Sequence, residues 1–204
     1  MAKNNLQKQR VRDIFINSAS EILREHGLKG ISARNVAEHA GYSYATLYNY
    51  FKDIKDLVFE CIKIFRQECL DFVRNDHHSA HPGPEMIKAV SRSYAKYFLQ
   101  YPGIFELFFI EKNPELQRIN ASIEMVNRLF FELTENHWEY MISRRMITQE
   151  GSKILLTQIN ATLIGMLLLY LNRQNPQSFS EFVSNLDNYL QAAFACHNLP
   201  EIGE

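Results

Sequence analysis

The chain has 204 residues, 46% of them hydrophobic and 22% charged, and a formal net charge of −1. This is the composition of a folded chain with enough apolar material for a real core, and the near-zero charge excludes a polypeptide that coats nucleic acid indiscriminately. The charge is unevenly divided, however. Residues 1–52 hold eight Lys/Arg against four Asp/Glu, a balance of +4, while residues 53–204 hold fourteen against nineteen, a balance of −5. A small basic head on an acidic body suits a DNA-contacting module carried by a domain with another task.

Met1 to Arg12 is polar and basic with no apolar run behind it, so no signal peptide is expected. The longest near-continuous apolar stretch, Ala161 to Leu171, falls short of the roughly 18–20 residues of a membrane span, so no membrane partner is expected and the location reads as cytoplasmic. Cys61, Cys69 and Cys196 are odd in number and lack metal-like spacing. Eight helical residues would hold the first two about 12 Å apart, too far for a disulfide, so they read as reduced, buried and inert thiols rather than redox sensors.

Taken in chain order, the pattern is helical throughout. Val11, Ile14, Phe15, Ala19, Ile22 and Leu23 mark one buried helical face, which Gly27 can end. Ser32 is placed to cap a short helix to Ala40, Gly41 to stop it, and Ser43 to cap a third helix running to Tyr50. Asp53 caps a long helix carrying Leu57, Cys61, Ile64, Phe65 and Phe72. Residues 74–84 read as a loop, and its histidines His77, His78 and His81 read as solvated rather than metal-binding. Further helices are expected near 84–100, 103–111, 115–147, 151–173 and 178–196, with all six prolines at the breaks. The expected fold is all-α with about nine helices: a three-helix head at 1–52 and a larger helical domain at 53–204.

Function concentrates between Ile31 and Leu57. Two short helices meet at a tight turn, with Ala37 small where they approach and Gly41 free to adopt positive φ. Val36, Leu47 and Phe51 lock the second helix, leaving Ser43, Tyr44, Ala45, Thr46, Tyr48 and Asn49 to face outward, side chains suited to base edges, thymine methyls and phosphates. By contrast, no Gly-rich phosphate loop, His-Glu-x-x-His, Cys-x-x-Cys or nucleophile elbow is present, so the chain does not read as an enzyme and no cofactor is expected. Two alternatives stay open: a helical effector-binding or adaptor protein without DNA function, and an enzyme whose site assembles from scattered residues.

The stretch Ser32, Val36-Ala37-Glu38, Ala40-Gly41, Ser43 and Leu47-Tyr48-Asn49-Tyr50-Phe51-Lys52 resembles the DNA-binding region of the TetR/AcrR family of transcription regulators. With the first helix, the resemblance covers roughly residues 8–60. It implies an operator-binding regulator, most often a repressor, that works as a homodimer on a palindrome and responds to a small effector. Tyr48 matches the family tyrosine on a backbone phosphate. Thr46, Ser32 and Arg34 match positions that meet phosphate or bases, Tyr44 and Ala45 those that choose the sequence, and Lys52 ends the helix within reach of phosphate. Three positions depart from the pattern: Tyr42 for a small apolar residue, Tyr44 for a frequent Lys or Gln, and Ile54 where a Lys is common.

In the larger domain Phe65, Tyr94, Phe98, Phe105, Phe108 and Trp138 are candidates to line an apolar cavity, with Asn127, Gln158 and Thr162 as polar contacts for an apolar or aromatic effector. Core packing is the competing reading of the aromatics. The helices at 151–173 and 178–196 are expected to pair with their symmetry mates through Ile159, Leu163, Met166, Leu167, Tyr170, Phe182 and Leu186, with Gly165 permitting close approach.

Overall fold

The structure is a computed structural model that describes residues 2–76, 82–110, 120–173 and 175–196. Its regular elements are all helical: α1 (Ala2–His26), α2 (Ala33–His39), α3 (Tyr44–Leu47), α4 (Ile54–Asp76), α5 (Pro84–Gln100), α6 (Pro102–Phe105), α7 (Asn120–Asn127), α8 (Leu129–Ser143), α9 (Gln149–Arg173) and α10 (Phe179–Ala195). A 3₁₀ turn, Leu28–Gly30, follows α1, and a single π turn, Glu106–Ile110, continues α6. Most expected segments recur. The long helix expected at 115–147 is interrupted at Arg128, and its first residues, like His77, His78 and His81, lie outside the described residues.

Side-chain caps explain where four of the helices start. Ser32 Oγ accepts from the Asn35 amide at 3.1 Å, Ser43 Oγ from Thr46 at 3.2 Å, Asp53 Oδ1 from Asp56 at 2.9 Å and Ser178 Oγ from Glu181 at 3.2 Å. Each satisfies an amide that the helix itself cannot pair, typically worth about 1 kcal/mol.

The chain divides into two compact units. The first comprises Met1–Glu68 and Tyr101–Val126, the second Cys69–Gln100 and Asn127–Glu204. The expected boundary at 52/53 therefore falls inside the first unit, and contacts along α1 explain why. Cys61 Sγ of α4 donates to the Ile16 carbonyl at 3.7 Å, Arg12 pairs with Glu60 at 3.1 Å, and Arg24 grips both oxygens of Glu68 at 2.7 Å. The Arg24 guanidinium also lies over Phe65 and Tyr101, 4.9 and 5.4 Å from their ring centres. Next to Tyr101, Gly103 sits so close to α1 that a Cβ there would fall 2.6 Å from the Leu23 carbonyl oxygen. Only glycine allows α6 to seat on that helix end.

The second unit has an aromatic and aliphatic core. Tyr94, Tyr97, Phe98 and Phe130 are buried, with Tyr94 edge-on to Phe98 and Phe130 at 4.9 and 5.3 Å. Trp138 donates to Thr134 Oγ1 at 2.9 Å, which answers its buried N–H. Arg92 to Asp187 at 2.6 Å ties α5 to α10.

Within this unit α9 requires a correction. Ile159, Leu163 and Leu167 of α9, and Phe182 and Leu186 of α10, expected at a dimer interface, are fully buried in the chain's own core. Met166 and Tyr170 are half-buried, and Tyr170 packs against Phe182 at 5.3 Å. Because α9 is apolar on all sides, residue counting could not tell its inward stripe from its outward one. A second correction follows. Gln149–Asn172 is long and apolar enough to cross a membrane by length and composition, although the run Ala161–Leu171 alone was too short, and only 22% of the tested window is buried. One such helix is weak evidence for a membrane span.

The three cysteines are free, Cys61 and Cys69 buried and Cys196 exposed. Burial pushes the Cys61 thiol up to about 11 and raises Cys69 strongly. At pH 8 roughly one Cys61 in a thousand would be thiolate. A thiol-titrating disulfide reagent at pH 8 should therefore label Cys196 quickly, and Cys61 and Cys69 only after denaturation. Rapid labelling of two or more thiols in the native protein would contradict this.

Candidate nucleic-acid interface

The site is built on α2, α3 and the turn that joins them. Val36 and Ala37 of α2, Leu47 of α3 and Phe51 beyond it are buried. At the turn, Gly41 has φ +73°, the Tyr42 amide bonds back to the Ala37 carbonyl at 2.9 Å, and the Gly41 amide reaches Glu38 at 3.1 Å. This left-handed stop closes α2 and reverses the chain in two residues.

With four α-helical residues, α3 has no stability of its own. It is held by α1. Phe15, fully buried, lies 5.3 Å from the Tyr42 ring, 5.9 Å from Tyr50 and 6.4 Å from Phe51, so one side chain touches both ends of the short helix. Arg12 covers the Phe51 ring at 5.0 Å. Tyr42 is thus an anchor of the turn, which explains an aromatic where a small residue was expected.

Around that anchor the expected DNA-contacting side chains come together. Ser43, Tyr44, Ala45, Tyr48, Asn49 and Lys52 are exposed, as is Arg34 on α2, and Ser32 and Thr46 are half-buried. Ser32 and Ser43 serve as caps. Ser43 Oγ and Thr46 Oγ1 lie 2.8 Å apart, and one hydroxyl must donate to the other. The pair therefore offers one outward O–H at a time. Tyr44 and Tyr48 stand edge to face, 5.8 Å between centres and 86° between planes. Lys52 follows them, and its backbone N–H bonds Asp56 Oδ2 at 3.2 Å while its ammonium has no ion partner among the described residues. Chemically the surface presents phenols, an amide, a hydroxyl and cations, all able to donate to phosphate, and the amide can also accept from a base edge in the major groove. The resemblance named Ile54 as a departure. It begins α4 half-buried, with Lys55 beside it.

The expected effector set is divided between the units. Phe65 and Phe105 are fully buried and Phe108 half-buried in the first unit. Tyr94, Phe98 and Trp138 are buried in the second, where Thr162 is half-buried and Asn127 and Gln158 are exposed. Burial pushes the Tyr94 phenol well above its ordinary range. Trp138 also lines a groove of about 220 Å³ between α8 and α9, with Phe131, Ile142 and Leu156 as apolar neighbours and Glu135, Glu139 and Lys153 at its rim. Sequence reasoning missed this groove because it is made by two helices meeting. Among the described residues, no group of three or more His, Cys, Asp or Glu is placed to hold a metal ion.

Comparison with known proteins bears on the helix-turn-helix and on the fold. Residues 15–61 match the family of bacterial regulatory proteins, tetR family. No curated protein matches by sequence. Among solved structures, the fatty acid degradation regulator FadR of Bacillus halodurans superposes with a TM-score of 0.69 at 18% identity, covering 88% of this chain and 93% of its own. FadR of Bacillus subtilis, solved with stearoyl-CoA, gives 0.69 at 16% identity over 89% and 96%. The repressor MexZ of Pseudomonas aeruginosa gives 0.67 at 10% identity over 93% and 95%. At these identities the likeness establishes the fold. Residues 15–61 thus carry a helix-turn-helix of the tetR family, and the chain shares its all-helical fold with solved regulators of that family.

Proposed function

We propose that the chain is a cytoplasmic homodimeric repressor that grips a palindromic operator through α3 and its flanks and is released by a small apolar or aromatic effector. The observation that carries this reading is the exposed row Tyr44, Tyr48, Asn49 and Lys52, on a short helix and the turn that follows it, braced from behind by Phe15. Two such heads related by a two-fold axis would read half-sites about one helical turn apart. Tyr48→Phe should weaken binding at least about ten-fold on every sequence, because a phenol donating to phosphate is worth about 1.5–3 kcal/mol and carries no base information. Lys52→Ala should lower the salt slope of binding by about 1. A mobility-shift titration against the DNA upstream of the gene tests both. A folded protein that shifts no DNA in that assay would be an adaptor instead.

The support for a dimer lies on the outward side of α9. Ile154, Gln158, Ala161, Gly165, Leu168 and Asn172 follow alternating steps of four and three residues, the spacing of a helix-packing seam. Ile154 and Leu168 are exposed large apolar side chains, and a Cβ on Gly165 would meet nothing within 4 Å. Small residues at the middle of such a seam let a second helix approach closely. Leu168→Glu should leave the chain folded, since Leu168 is on the surface, yet yield monomers with weakened operator binding. Phe182→Glu, which places a charge in the core, should instead cost the fold. Sedimentation showing a wild-type monomer at micromolar concentration would refute the seam.

The effector is proposed from the family and from the apolar character of the expected set. The groove at Trp138 is smaller than the roughly 300–1,000 Å³ of drug-sized sites, so it does not carry the reading. The Bacillus subtilis FadR structure holds stearoyl-CoA, which makes acyl thioesters a rational first group to screen alongside aromatic compounds. A true effector that raises the melting temperature should lower operator affinity about 5- to 150-fold, the usual scale of coupling. If every stabilising compound leaves operator affinity unchanged, no regulatory effector site exists in this chain.

A further inference from the structure

The recognition surface carries two parallel stripes. Tyr44 and Tyr48 are one helical turn apart and form the first, Ala45 and Asn49 the second. In the first stripe the two rings are engaged with each other, edge to face at 5.8 Å. In the second, Ala45 and Asn49 are exposed and no described interaction occupies their side chains. Resting on the DNA-binding reading above, we infer that Tyr44 is a positioning residue that holds the Tyr48 ring, and that base selection belongs to Ala45 and Asn49.

The physical argument begins with exposure. Tyr44 is 61% exposed and Tyr48 47%, so neither is fixed by the core. A solvent-exposed tyrosine samples several rotamers, and freezing it on binding costs affinity. On a helix a side chain leans back toward the preceding turn, which brings the Tyr48 ring over residue 44. There the Tyr44 ring supplies an edge-to-face partner and restricts Tyr48 before DNA arrives. For Tyr44 to turn its phenol to a base edge it would have to leave that contact and loosen the phosphate grip, so the two roles oppose each other. Ala45 and Asn49 have no such conflict. A methyl meets a thymine methyl, and a carboxamide pairs in two places with adenine in the major groove.

The test measures binding to an operator and to a panel of its single-base variants. Tyr44→Ala should weaken binding to all of them by the same factor, about two- to ten-fold, the scale of one aromatic pair. Tyr44→Phe, which keeps the ring, should restore wild-type affinity. In a Tyr48→Ala background Tyr44→Ala should have no further effect, whereas Asn49→Ala should re-order the preferred bases. Circular dichroism and melting temperature should be unchanged for all of these surface variants. The inference is overturned if Tyr44→Ala re-orders the base preference, if Tyr44→Phe fails to rescue, or if the two tyrosine substitutions act additively. Failure of the DNA-binding reading itself looks different: the folded wild-type protein would then shift no DNA at all.

Discussion

The packing of Phe15 against Tyr42, Tyr50 and Phe51 is the contact on which the rest of the head depends. A helix of four α-helical residues has no independent existence in water, because the first turn fixes several dihedral angles for little return in hydrogen bonds. Its capping serine satisfies one amide. Everything else must come from tertiary burial, and Phe15 provides it at both ends of the element. The outward residues are free to be polar and aromatic only because the inward ones leave no choice about where the helix lies.

Local signals in the sequence were read well, for a simple reason. Ser32, Ser43 and Asp53 act on amides three residues away, and Gly41 acts within its own turn. Such information needs no knowledge of the remainder of the chain. The same holds for the spacing of Val36, Ala37, Leu47 and Phe51, which identified the buried face of the head. Long-range information was not readable in the same way. In α9 apolar residues occur around the whole circumference, and the sequence contains no mark that separates Leu163 and Leu167, which are buried, from Leu168 and Leu169, which are not. Similarly, nothing local announces that Trp138 and Leu156 line one groove.

Charge and aromaticity cooperate in the first unit. Arg12 and Arg24, three turns apart on α1, each combine an ion pair to α4 with a stacked ring. Exposed ion pairs alone contribute little, since solvent screens them and ordering two long side chains costs entropy. A guanidinium held over a ring is partly ordered by that contact, and Arg24 adds a hydrogen bond to each oxygen of Glu68. Lysine at either position would keep the charge and lose the plane.

The seating of Gly103 on the end of α1 bears on modularity. The segment after α5 returns to the first unit, so this unit is assembled from two separate stretches of chain, 1–68 and 101–126. The family match at 15–61 covers only part of the first of these stretches. Cutting the chain after α4 would strip Tyr101 from the Arg24 guanidinium and uncover the end of α1 on which Gly103 sits. The reading head is therefore not a cassette to be excised and grafted onto another protein. Its architecture is a discontinuous one, in which the helix-turn-helix is clasped by residues the ribosome makes only after the first stretch of the second unit, Cys69–Gln100.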